Sequence, residues 1–321
     1  MRKTSAMVEA GILAAIAIVM ALITIYVPVI GAFVNFVWPL PIIICGIRHG
    51  LKWSVLSLIV AGILIAMIIS PMQAFFLAAI FGILGLILGE CMRRHLPPGT
   101  LMFYGTLGGI LALVINIVLS FLVMGIDPIE MIFTSFGDSL VQVAEFQRSH
   151  GISEEDIQKS VASYQEMLRM MKIIMPAAFL LSAPIIAFVN IWAAKKVMGR
   201  LGESFEDFPS FKLIQLPWPV LGLYFVSLAG VTYYYLNNPE SWLYTMFVNI
   251  QTLCSFLLVL QGVILVYWAA DHYKKPKWWA NVAVTLIFFI PLMSQIMVYV
   301  GAFDFVVDFR KIRKLEHKKW F

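Results

Sequence analysis

The residues that could do chemistry in this chain are neutral ones set inside apolar stretches. Asn35, Trp38, Ser70 and Gln73 fall near one end of the first hydrophobic segments. Asn116 and Ser120 sit within a later one, and Asn249, Gln251, Ser294 and Gln295 within the last two. Amides, hydroxyls and indoles can hydrogen-bond a small neutral molecule without the cost of burying a charge. Asn35, Trp38, Gln73 and Asn116 are the candidate ligand-binding residues, because the chain topology brings them toward the same half of the bundle. The competing role for each is glue between helices, since the same side chains bond across membrane spans.

The residues of catalysis are missing by comparison. His49, His95, His150, His272 and His317 are scattered, and no two share a helix face. Cys45, Cys91 and Cys254 have no metal-ligand spacing and read as small apolar packing residues. There is no P-loop sequence. No catalytic residue, metal ligand or cofactor site is expected, and the reading is of a binding protein rather than an enzyme. The central portions of the predicted spans carry no Asp, Glu, Lys, Arg or His, which ion-coupled carriers and proton pumps usually need.

Those polar groups must be positioned by membrane helices. Of the 321 residues 61% are hydrophobic and 13% charged, against about 45–50% and about 25% for a soluble domain. The expected fold is all-α, a polytopic transmembrane helical protein. Spans of about 20 apolar residues are predicted at 7–28, 33–47, 53–69, 72–89, 101–125, 171–194, 214–236, 242–270 and 278–302. Pro39 and Pro41 should disturb the second span. Residues 1–200 form a six-span module, 201–213 an interfacial connector, 214–302 two to three further spans, and 303–321 a basic tail.

Basic residues alternate between loops. Arg2 and Lys3, Arg48 and Lys52, Arg93 and Arg94, Lys195 to Lys212, and Lys274 to Lys277 mark one side. By the positive-inside rule the N-terminus is cytoplasmic and the protein lies in the cell membrane, with its net charge of +5 directed at anionic lipid and not at nucleic acid. Nine spans would put the basic tail outside. Either the tail is an exception, or 278–309 is a re-entrant hairpin near Pro291; the reading leans to nine.

Segment 126–172 is the one long outer element. "DPIE" predicts a helix start with Asp127 as N-cap and Pro128 at N1, and "SEED" a second with Ser153 as N-cap. Ile129, Phe133, Phe136 and Leu140 recur at helical spacing in the first, as do Ile157, Val161, Tyr164, Leu168 and Met171 in the second. The expectation is a helical hairpin lying over the outer mouth of the bundle.

In the first span Ala10 and Ala14, and Gly11 and Ala15, are pairs four apart that put small residues on one helix face. They are followed by "PLPIIICGIRHGLKW". This pattern resembles the substrate-binding S components of energy-coupling-factor (ECF) vitamin transporters over about residues 5–195. The resemblance implies a six-span module, a small-molecule ligand, and docking of the Ala10–Ala14 face onto a transmembrane coupling subunit that works with ATPases. Over its whole length, and in "GAFDFVVDFRK" near the end, the chain is similar to the YybS-like membrane proteins of Gram-positive bacteria. The outer hairpin and the C-terminal spans depart from a plain S component. MreD-like shape-determining proteins are thought to share a related fold without transporting anything, so a membrane scaffold is the alternative function.

Overall fold

The computed structural model describes residues 3–125 and 127–310. Among these residues there are thirteen α-helices and no strand. Eight helices, some built from two consecutive pieces, are long and apolar enough to cross a membrane, and one further helix pair is sharply bent.

Proline and glycine set the boundaries. The chain runs α1 (Lys3–Tyr26), α2 (Pro28–Phe36), α3 (Leu40–His49), α4 (Leu51–Ile68), α5 (Pro71–Leu77), a π-helical turn (Ala78–Gly82), α6 (Ile83–Arg93) and α7 (Pro98–Met124). Proline opens α2, α5 and α7, where its missing N–H costs nothing. The predicted second span is longer than expected: it begins at Pro28 and breaks at Val37–Pro39 into α2 and α3. Gly50, at φ +86°, makes the tight corner between α3 and α4.

Both predicted outer N-caps are present. The Asp127 carboxylate accepts from the N–H groups of Ile129 and Glu130, at 2.8 and 3.3 Å, and starts α8 (Pro128–Ser149). The Ser153 hydroxyl accepts from the Asp156 N–H at 3.2 Å and starts α9 (Glu154–Arg200). Burial follows the predicted stripe for most of its length. Ile157 is buried, and Ile129, Phe133, Leu140, Val161, Tyr164 and Leu168 are half-buried; Phe136 and Met171 are exposed. The expectation of a lid needs correcting. α8 packs on α7, and among the described residues it makes no substantial contact with α1 to α6. The second arm is also no separate helix: it continues through the predicted sixth span as one 47-residue helix. At 1.5 Å per residue that is about 70 Å, over twice the hydrocarbon thickness of about 30 Å.

A short 3₁₀ turn (Phe211–Leu213) precedes α10 (Pro219–Asn237), α11 (Trp242–His272), α12 (Lys277–Phe289) and α13 (Pro291–Val307). The ninth predicted span is not one straight helix. α12 and α13 meet at Ile290 with a bend of 110°. Helix α13 runs past the predicted end of the span, so residues 303–310 belong to the folded part and not to a tail; 311–321 lie outside the described residues.

The chain forms two compact units. The first comprises residues up to Leu168 with Phe179–Asp207, the second Arg169–Ala178 with the chain from Phe208 onward. The first unit packs by close backbone approach. A Cβ on Gly46 would stand 3.0 Å from the Gly89 Cα, so α3 and α6 meet nearly backbone to backbone. Its core gathers Ala14, Ala17, Ala21, Trp38, Ala61, Ile65, Ala74, Leu77 and Phe81. The second unit buries Tyr224, Cys254, Leu258, Val263, Ile287, Val298 and Phe305.

Candidate functional site

The predicted docking face on α1 divides in two. Ala10 and Ala14 are 3% and 1% exposed, and the Ser57 hydroxyl of α4 donates to the Ala10 carbonyl at 3.1 Å. These alanines let α4 approach α1 within the same molecule, so they are internal packing and not a free surface for a partner. Gly11 and Ala15 lie on the outward face, among exposed Val8, Ile12 and Ile16.

The four predicted ligand residues also separate. Trp38 is 1% exposed, with its ring 6.5 Å from that of Phe81. Its indole N–H donates to the Ala17 carbonyl at 3.0 Å. The polar handle is satisfied by backbone and the ring fills the core, which corrects its expected role as the wall of a ligand cavity. Asn35 is half-buried at the end of α2, where its carbonyl accepts from the Trp38 backbone N–H at 3.3 Å. Gln73 is exposed in the first turn of α5. Trp38 and Gln73 therefore share no wall.

Asn116 is different. It is 7% exposed, and its side-chain Nδ2 has no hydrogen-bond partner. Its carbonyl accepts from the buried Ser120 hydroxyl at 2.7 Å. Gly105 of α7 lies against Leu88 of α6, and Gly108 against Ile87. That antiparallel register carries Asn116 to the level of the π turn Ala78–Gly82, which packs on α7. A π turn widens a helix and is often found at functional sites. An uncommitted N–H donor, buried in apolar surroundings opposite such a turn, can bond an uncharged acceptor such as a carbonyl or ring nitrogen. Among the described residues no His, Cys, Asp or Glu group is clustered to hold a metal.

The second unit holds a polar network that sequence reasoning missed. Asp304 of α13 and Arg310 are each about 1% exposed at the side chain and form an ion pair. Arg310 Nε and Nη2 donate to Asp304 Oδ2 at 3.2 and 3.0 Å, and Gln261 Nε2 donates to the same oxygen at 2.6 Å. Arg310 Nη1 donates to the carbonyls of Lys212 and Ile214, both at 2.8 Å. The Leu216 N–H donates to Gln261 Oε1 at 3.3 Å. Lys212 also pairs with Asp271 near the end of α11. The far end of α13 is thus held at the connector, beside the end of α11 from which α12 departs. The available signal was Asp304 closing an apolar helix six residues before an arginine, since a buried carboxylate demands a partner.

Asn249 does a related task with neutral atoms. It donates to the Ile173 carbonyl and accepts from the Ala177 N–H, each at 2.7 Å. Pro176, between them, has no N–H and disrupts the ladder of α9, and the Asn249 side chain spans the opened rung.

The family model described as a predicted membrane protein (DUF2232) matches residues 15–305. The chain is 26% identical over 304 residues to the uncharacterized protein YybS of Bacillus subtilis (strain 168), covering 95% of this chain and 97% of that protein. No solved structure matches. With its multiple apolar helices and a match running through both units, the chain belongs to the DUF2232 family of predicted membrane proteins.

Proposed function

We propose that the protein is an integral membrane module that binds a small, mostly neutral metabolite and works with a separate ATP-driven partner, acting by binding and not by catalysis. The observation that supports binding is the buried, unpartnered amide of Asn116 opposite the π turn. An unmet buried donor costs about 1–3 kcal/mol, and a ligand acceptor would remove that cost. The chain has no nucleotide-binding loop, so any energy input would come from a partner of the coupling-subunit type. In this reading the N-terminus is cytoplasmic, because the basic loops of the first unit gather at one end. Glu9 joins the start of α1 to Arg48, and Arg93 lies against Gly50.

The test uses the full chain in detergent with a library of uncharged metabolites, followed by thermal unfolding and native mass spectrometry. Asn116→Leu should leave the apo protein as stable as the parent or more so, and should lower ligand affinity about threefold to tenfold. Strong destabilisation of the apo protein by Asn116→Leu, with no compound stabilising the parent, would end the binding reading.

A second reading, a non-transporting membrane scaffold for envelope or signalling proteins, is favoured by one observation. The region around Trp38 is filled by side chains, and the indole is already satisfied. Crosslinking in intact cells that captures protein neighbours through Gly11 and Ala15, with no metabolite bound, would select it.

A further inference from the structure

We infer that the basic end of the first unit holds one phospholipid with a zwitterionic amine headgroup, in a groove between α1, the end of α3 and the end of α9. The groove is open, has a volume of about 760 Å³, and runs from Thr4 to Ile16 along α1, with Ile44 and Arg48 of α3 and Leu201 at the end of α9 as its other walls.

Its two ends differ in chemistry. At the mouth are the exposed hydroxyl residues Thr4 and Ser5 and the part-exposed side chains of Glu9 and Arg48. Arg48 sets Nε 2.8 Å from Glu9 Oε1, and its side chain is part-exposed at the mouth. A planar guanidinium can present a pair of N–H groups to two oxygens of a phosphate. Below the mouth the walls are Val8, Ile12, Ile16, Ile44 and Leu201, all apolar. From Thr4 to Ile16 the groove follows α1 for about 18 Å, close to half of a hydrocarbon core about 30 Å thick. That is the reach of one leaflet, the length an acyl chain occupies.

Charge decides the headgroup. The charged residues that line the groove, Glu9 and Arg48, sum to zero, and a phosphodiester adds one negative charge beside a carboxylate. An anionic lipid would leave that charge unbalanced against Glu9. A lipid carrying its own ammonium restores neutrality, and Glu9 is the acceptor for that ammonium. His49 Nε2 stands 2.8 Å from the second Glu9 oxygen and fixes the carboxylate in place.

The experiment is native mass spectrometry of the full chain released from vesicles of equal parts phosphatidylethanolamine and phosphatidylglycerol. The parent should keep one phosphatidylethanolamine through delipidation. Arg48→Gln should reduce that adduct about tenfold. Ile12→Trp fills the groove from an exposed position, so it should displace the lipid without unfolding the protein. Glu9→Gln removes the negative charge and should turn the preference toward phosphatidylglycerol. An adduct indifferent to both Arg48→Gln and Ile12→Trp, or a parent that retains phosphatidylglycerol instead, would overturn the assignment.

Discussion

The two units answer the same problem, polar atoms inside an apolar bundle, in different ways. The first uses neutral donors aimed at helix carbonyls. Trp38 donates to Ala17, Ser54 to Ile42, Ser57 to Ala10 and Asn190 to Phe36. Each bond ties one helix to another at modest strength, and alanines and glycines supply the close approach. The second also uses a neutral clamp, Asn249, but adds a buried ion pair, Asp304 with Arg310, each side chain about 1% exposed. Neutral bonds can be exchanged one at a time at little cost. A buried charge pair is all or nothing, because either member alone is far worse than both or neither. The contrast sets singly replaceable bonds in the unit that carries Asn116 against a mutually dependent charge pair in the unit that carries the bent helices α12 and α13.

Breaking the ion pair should give the largest effect. Arg310→Met leaves Asp304 buried without its cation and should cost about 3–5 kcal/mol of stability, read as a lowered unfolding midpoint in detergent. Asp304→Leu combined with Arg310→Met should recover most of that loss. If the single variant is as stable as the parent, the pair is not a lock and the contrast between the units fails.

This network also marks where sequence reading ran out. The first eight spans, the two N-caps at Asp127 and Ser153 and the half-buried stripe on α8 and α9 were legible because they rest on local rules: apolar length, a capping side chain, helical periodicity. Ala10 and Ala14 were legible as a small face, but a small face looks alike whether the approaching helix belongs to the same chain or another. Trp38 and Asn116 were legible as polar groups needing partners. Which of them the Ala17 carbonyl would satisfy depends on contacts 21 residues apart. Asp304 and Arg310, six residues apart, could have been read as a carboxylate and its partner, but Gln261 and the connector carbonyls could not, because those bonds join α11, α13 and the connector across the chain.

The next effect belongs to the close contact that brings Gln261 and Asp304 together. A Cβ on Gly301 would collide with the Leu258 carbonyl oxygen, and one on Gly262 would stand 2.8 Å from the Met297 carbonyl. Both obstacles are backbone, so α11 and α13 must separate to admit a methyl group. Gly301→Ala should cost about 1–3 kcal/mol and loosen the ion pair with it. Gly11→Ala, in the first unit, meets nothing within 4 Å and should be silent in the same unfolding assay.

Smaller again is the neutral glue of the first unit. Trp38→Phe keeps an aromatic ring in the core but removes the donor to Ala17, for about 0.5–1.5 kcal/mol. Ser57→Ala removes the bond to Ala10 for about 0.6 kcal/mol. Effects of this size for both would sustain the contrast with the ion pair. A loss at Ser57 as large as that at Arg310 would erase it.

The smallest effect comes from the same arginine–carboxylate chemistry placed in water. Arg148 and Glu154 pair across the turn between α8 and α9, Nε to Oε1 at 2.6 Å, with both side chains more than half exposed. The guanidinium holds the Glu154 carboxyl below its ordinary range. A carboxyl depressed in the folded state stabilises that state fully above its unfolded pKa, about 4.3 for glutamate, and loses the contribution as pH falls through the folded value. The protection of amides 148–156, taken relative to their intrinsic exchange rate at each pH, should therefore fall below that range, and at high salt at neutral pH, since an exposed pair is screened. Glu154→Gln should show the lower protection throughout and no such acid step. The unfolding midpoint of the whole chain should not move with Glu154→Gln, because an exposed pair contributes little to global stability. A shift approaching that of Arg310→Met would mean that burial is not what separates the two arginine pairs.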